Sequence, residues 1–126
     1  MNVPDDLRYS SDHEWARLED GRVRVGITDY AQDALGDVVF VQPPEVGSHY
    51  AVGAVFGEVE STKSVSEIYS PVEGTVVEIN EDLEASPEAV NSDPYGAGWI
   101  ALIEPADAAG VESLLSPEAY RELTEG

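Results

Sequence analysis

Residues Arg22-Val23-Arg24-Val25-Gly26-Ile27-Thr28 alternate with a clean period of two, a pattern that would scatter apolar side chains around a helix but collects them on one face of a strand. Val23, Val25 and Ile27 are expected on one face, with Arg22, Arg24 and Thr28 on the other. His13-Glu14-Trp15-Ala16-Arg17-Leu18 alternates more loosely, and Asp20-Gly21 separates the two runs. Asp-Gly between alternating runs predicts a hairpin, because both turn residues must take positive φ.

Similar runs recur along the chain. Residues 37–41 are apolar on both faces and are expected to be a buried strand, stopped by Pro43-Pro44. Residues 54–60 and 65–70 are strand-like, and so are 75–80, where Val77 and Ile79 share one face. Residues 99–103 read as a last strand. Residues 29–36 form a short helix, with Asp29 as its cap, Gln32 three residues on and Gly36 at its end. So short a helix must dock on a sheet to persist. The stretch 81–98 is broken by Pro87, Pro94, Gly96 and Gly98 and predicts a structured loop with one helical turn after Ser86-Pro87. At the end of the chain Val111, Leu114 and Leu115 have helical spacing, and Ser116-Pro117-Glu118 is a helix start. Ala119, Tyr120 and Leu123 then supply an apolar stripe. The expected fold class is mainly β: a small barrel or sandwich with a short helix after the second strand and C-terminal helices. No glycine- and serine-rich linker divides the chain, so one domain over residues 1–126 is expected.

Composition narrows the function classes. The net charge of −20 disfavours a nucleic-acid binder. The acids are spread through the chain and read as adaptation to high salt, which screens their repulsion. There is no cysteine, so disulfides and thiolate chemistry are excluded. No apolar run approaches a membrane span, and the N-terminus has no signal-peptide pattern, so a cytoplasmic protein is expected. His13 and His49 have no metal-ligand spacing, and packing or loop roles are expected for them. Trp15 and Trp99 suit core or rim packing.

Lys63 is the only lysine; the other cations are Arg8, Arg17, Arg22, Arg24 and Arg121. An amine can be acylated where a guanidinium resists it. Residues 61–64 are left for a turn between two strand-like runs, so Lys63 is expected at a hairpin tip, with small neighbours Ser61, Thr62 and Ser64. Acylating a surface ammonium is slow unaided, so a separate enzyme must activate the acyl group. Glu58, Glu60 and Glu67 lie near the tip, as a guide for that enzyme or as a solvated acidic face.

The stretches His13-Glu14-Trp15, Gly26-Ile27-Thr28-Asp29-Tyr30-Ala31-Gln32, Leu35-Gly36-Asp37-Val38-Val39-Phe40-Val41, Pro44-Glu45-Val46-Gly47, Glu60-Ser61-Thr62-Lys63, Ser70-Pro71-Val72-Glu73-Gly74 and Asn91-Ser92-Asp93-Pro94-Tyr95-Gly96-Ala97-Gly98-Trp99 span nearly the whole chain. In that order they resemble the glycine cleavage system H protein family. The resemblance implies a lipoyl-domain-like β-sandwich (barrel-sandwich hybrid) with lipoate bound covalently to Lys63. It implies a non-enzymatic carrier in glycine catabolism and one-carbon metabolism. Its lipoyl arm accepts an aminomethyl group from a pyridoxal-phosphate glycine decarboxylase (P protein) and passes it to an aminomethyltransferase (T protein). A dihydrolipoyl dehydrogenase (L protein) then reoxidises the arm, and a lipoate ligase or lipoyl transferase loads it. No nucleic acid and no membrane belong to that scheme. Thr62 and Ser64 stand where the family commonly has valine and alanine; both are small. Glu14 is expected to face the cleft where a loaded arm rests, or else to be a surface acid of the first strand. The reading from a different class is an unmodified acidic β-sandwich acting as an interaction or scaffold module.

Overall fold

The computed structural model describes residues 2–125. Two antiparallel sheets pack face to face. The larger contains β1 (Arg8–Tyr9), β2 (Glu14–Glu19), β3 (Arg22–Ile27), β5 (His49–Tyr50), β8 (Gly74–Ile79) and β9 (Ala101–Pro105), in the spatial order β1-β2-β3-β9-β8-β5. The smaller contains β4 (Val38–Gln42), β6 (Val55–Ser61) and β7 (Val65–Tyr69), in the order β4-β6-β7. The main core lies between them. Val23, Val25, Val76 and Ile103 come from the larger sheet, and Val41, Phe56, Val59 and Ile68 from the smaller.

The β2–β3 hairpin follows the sequence pattern. Asp20 and Gly21 both take positive φ (51° and 82°), the geometry that matches the right-handed twist of the flanking strands. Val23, Val25 and Ile27 are buried. Thr28 departs from the expected outer face: it is fully buried and is itself the N-cap of α1 (Asp29–Leu35), accepting from the Ala31 N–H. Asp29 is therefore not the cap. It lies in the first turn, where it accepts from the Gln32 side chain.

Other elements also differ from the sequence pattern. Val39 and Phe40 are exposed at 52% and 43% while Val38 and Val41 are buried, because a register shift between Val38 and Phe40 turns the middle of β4 outward. On β8 the core residue is Val76; a shift between Val76 and Glu78 breaks the alternation that would have paired Val77 with Ile79. The last strand begins at Ala101, not residue 99. The loop after β8 contains two single-turn helices, α2 (Asp82–Ala85) and α3 (Ala89–Ser92), the second being the turn expected after Pro87. Residues Ala108–Ser113 form a 3₁₀ helix, so Leu114 and Leu115 lie beyond it. β1 and β5, of two residues each, were too short to show in the pattern.

α4 (Pro117–Glu125) starts where the Ser-Pro-Glu signal predicts, with Ser116 Oγ accepting from the Ala119 N–H. It covers a second cluster of Val3, Leu7, Tyr9, Trp15 and Tyr120. Tyr120 stacks on Tyr9 at 4.6 Å. Leu123, expected on the same stripe, is half exposed. Trp15 is fully buried and donates its indole N–H to the Pro94 carbonyl. Trp99 lies at the rim beneath the Arg24 guanidinium, 4.3 Å from the ring centre. His49 is exposed and pairs with Glu73 at 3.0 Å.

Candidate functional site

Lys63 stands at the tip of the β6–β7 hairpin, and Ser61 shapes that tip. The Ser61 N–H donates to the Ser64 carbonyl at 2.8 Å, and Ser61 Oγ accepts from the N–H groups of Lys63 and Ser64 at 3.2 and 3.0 Å. A serine side chain that bonds backbone groups two and three residues on in this way favours a turn. The Thr62 N–H donates to the Asp37 carbonyl at 3.0 Å, which ties the tip to the start of β4. The Lys63 side chain is exposed, and among the described residues its ammonium makes no ion pair or hydrogen bond. Its root is fixed and its end is unengaged.

Asn91 anchors the ground beneath the tip. Its carbonyl accepts from the Val38 N–H at 2.8 Å, and its amide donates to the Gly36 carbonyl at 2.8 Å and to Gln32 Oε1 at 2.9 Å. Gly36 ends α1 with φ +85°, and a Cβ there would meet Lys63 Cε at 2.8 Å. The backbone angle is what requires glycine, since the exposed lysine stem could move aside. Asn91→Ala leaves the Val38 N–H and the Gly36 carbonyl short of a partner and is expected to lower stability by about 2 kcal/mol, read as a lower denaturant midpoint at unchanged slope.

Beside the hairpin lies a cleft of about 260 Å³. Its walls include Ser64 to Ile68 of β7 and the strand's lead-in, Tyr30, Ala31, Ala34 and Leu35 of α1, and the segment Asp12-His13-Glu14. Glu14 is 2% exposed, against the surface role that was the alternative. Its carboxylate accepts from Ser10 Oγ at 2.6 Å and from the Tyr69 N–H at 3.3 Å. Tyr69 ends β7, which rises about 13 Å from Val65 to that point. Burial pushes the Glu14 carboxyl up to about 7; the Ser10 and Tyr69 hydrogen bonds oppose the shift, and Asp12 adds to it.

His13 adjoins Glu14 in the left-handed region, with φ 70°. Its ring lies 4.6 Å from that of Tyr30, and its Nδ1 is 2.8 Å from the Tyr120 hydroxyl. This is the packing role expected of it. Burial holds its pKa below the usual imidazole range. Among the described residues no His, Asp or Glu cluster suits a metal ion. Glu58 and Glu67 face each other across β6 and β7 as exposed carboxylates, and Glu60 is partly buried near the tip.

A tethered arm rooted at Lys63 would have solvent on one side and, along β7, a cleft that is largely apolar with a buried acid at its far end. Ser10, Thr28, Asn91 and Tyr120 also shape the site: Ser10 reaches Glu14 and Thr28 caps α1 within a few residues, whereas the Thr28–Tyr120 and Asn91–Val38 bonds join segments far apart along the chain and leave no local mark.

Comparison with known proteins agrees with this geometry. A family model described as "Glycine cleavage H-protein" matches residues 7–126. The chain belongs to the glycine cleavage H-protein family. A glycine cleavage system H protein of Mycobacterium avium (strain 104) is 61% identical over 125 residues, covering 95% of each chain. The H protein of Bacillus subtilis (strain 168) is 52% identical, covering 99% of this chain and 98% of its own. The crystal structure of a glycine cleavage system H protein from Mycobacterium marinum superposes with a TM-score of 0.90 at 43% identity, over 98% of this chain and 100% of that one. The mainly β sandwich with its C-terminal helix is thus the H-protein fold. Proteins of the H-protein family carry lipoate covalently on a lysine.

Proposed function

We propose that this chain is the lipoyl carrier of the glycine cleavage system, with lipoate attached through an amide to Nζ of Lys63, and that residues 1–126 act as one carrier domain. The observation that carries this reading is the exposed amine of the single lysine, unpaired among the described residues, at a tip braced by Ser61 and Asp37. The residues present fit the group. The stem of Lys63 crosses Gly36, and the cleft offers Ala31, Ala34, Leu35, Val65 and Ile68 as apolar wall for a hydrocarbon arm. When bound, lipoate supplies a disulfide that accepts a one-carbon amine fragment and is later regenerated from the dithiol.

The chain's own part is to hold, shelter and release. Lys63 roots the arm where a partner can reach it. The cleft walls exclude water from the resting arm. Glu14 supplies a buried carboxylate that gains a counter-charge when a cationic amine enters, and that attraction lowers its affinity for a proton. The protein works as a non-catalytic carrier that passes its cargo between enzymes. Its partners are glycine decarboxylase, aminomethyltransferase, dihydrolipoyl dehydrogenase and the enzyme that attaches lipoate. The carrier acts in the cytoplasm with those enzymes. No helix of the described residues is long and apolar enough to cross a membrane.

Reconstitution tests the reading. With those three enzymes, glycine, tetrahydrofolate and NAD, the lipoylated protein is expected to support glycine-dependent NADH formation, and the unmodified protein is not. Equal rates from the two forms would leave the acidic scaffold reading in its place.

A further inference from the structure

We propose that His13 is a hydrogen-bond donor of the cleft toward the arm, held as the neutral Nε2–H tautomer by Tyr120 of the C-terminal helix acting as a positioning residue. The inference rests on the carrier reading and assigns two residues of this chain to it.

Thr28 Oγ1 accepts from the Ala31 N–H at 3.2 Å as the cap of α1. The Tyr120 hydroxyl lies 2.7 Å from Thr28 Oγ1 and 2.8 Å from His13 Nδ1. Thr28 and Tyr120 are both fully buried, so each hydroxyl proton needs a partner within the protein. Thr28 has one proton and its free direction is toward Tyr120. If Thr28 donates to Tyr120, then Tyr120 donates to His13 Nδ1 and every proton is used. The ring's one remaining proton then sits on Nε2. In the reverse order Nδ1–H donates to Tyr120 and Tyr120 to Thr28, which leaves the Thr28 hydroxyl proton without an acceptor. That orphan is costly at a site with no solvent. A second proton on the ring would make Nδ1 a donor and leave one of the two buried hydroxyl protons without an acceptor in either order.

The ring cannot swing away from this chain of bonds. It rests against Tyr30 at 4.6 Å and edge-on to Tyr120 at 5.7 Å, and its own backbone is left-handed. Nδ1 is occupied by Tyr120, whereas the ring lines the cleft beside Glu14. The titratable groups that face it are Asp12 and Glu14 from its own segment, Tyr30 from α1, Tyr120 from α4 and Glu67 across the cleft from β7. The cleft therefore offers a buried acceptor, Glu14, and a fixed neutral donor, His13, set apart from the exposed carboxylates of Asp12 and Glu67 and the exposed hydroxyls of Ser64 and Ser66 at its rim. An arm carrying a cationic amine together with acceptor atoms (a sulfur and an amide carbonyl) matches both.

Two measurements test this. Nitrogen-15 NMR of the unmodified wild-type protein reads the tautomer directly, and Nε2–H is expected with Nδ1 unprotonated. In Tyr120→Phe, which keeps the ring stack on Tyr9, the His13 pKa is expected to rise by about half to one unit, a threefold to tenfold change in protonated fraction. Second, the loaded protein's spontaneous release of its carbon is followed in Tyr120→Phe, His13→Asn and the double variant, each lipoylated to the wild-type level. Asparagine tolerates the left-handed backbone. Each single change is expected to speed release about threefold to tenfold, and the double variant no further than His13→Asn. A wild-type ring protonated on Nδ1, unchanged release, or additive effects of the two changes would each overturn the proposal. Failure of the carrier reading is a separate result, a wild-type protein that takes no lipoate, and the tautomer measurement needs none.

Discussion

Lys63→Arg is expected to abolish glycine-dependent turnover in the reconstituted system, by at least about a thousandfold, with no change in thermal midpoint beyond about 1 °C. Arginine keeps the positive charge and most of the stem, and it removes the acylatable amine. The side chain is exposed and makes no ion pair among the described residues, so little folding energy rides on it. A loss of function without a loss of stability separates an attachment site from a structural lysine. Residual turnover of even a few per cent would mean that the arm is rooted elsewhere.

Glu14→Gln is expected to make the protein more stable at alkaline pH and equally stable in acid. The folded carboxyl keeps its proton up to about pH 7, because burial penalises the charge. The unfolded chain releases that proton near its ordinary value of 4.5. Between those values folding takes up a proton, so the wild-type protein loses stability as pH rises and bears the full cost above pH 7. Glutamine does not ionise, and it can still accept from Tyr69 while donating to Ser10. The stability difference between variant and wild type should grow from nothing below pH 4.5 to about 3 kcal/mol at pH 8, measured by urea denaturation across that range. On the proposed carrier role the same change removes the carboxylate of the cleft, so the loaded carbon should be lost about tenfold faster. A pH-independent difference would show that Glu14 is not an unpaired buried acid.

The sequence was most legible where structure is local. The alternation of Val23, Val25 and Ile27, the Asp20-Gly21 turn and the Ser116-Pro117 helix start depend on neighbours within a few residues, and all three are found. Lys63 at a tip followed from two strand-like runs and the short gap between them. Thr28 was misassigned because period-two logic carries a strand one residue past its end, and there the chain turns inward to cap α1. Val39 and Phe40 were misassigned because a shift of strand register leaves no mark in apolarity. The cleft was the least legible part. Glu14 reaches Tyr69, His13 reaches Tyr120 and Asn91 reaches Val38 only after the sheets have closed, and such bonds have no periodicity to betray them. The resemblance carried by His13-Glu14-Trp15 pointed toward that cleft, but only coordinates put its acid in the interior.

Intact mass of the protein purified from cells competent for lipoylation, followed by peptide mapping, bears most directly on the carrier role. The expected result is a mass above that of the sequence by one lipoyl group, mapped to the peptide containing Lys63 and missing from Lys63→Arg. An unmodified mass from such cells, or an acyl group found on any other residue, would contradict it.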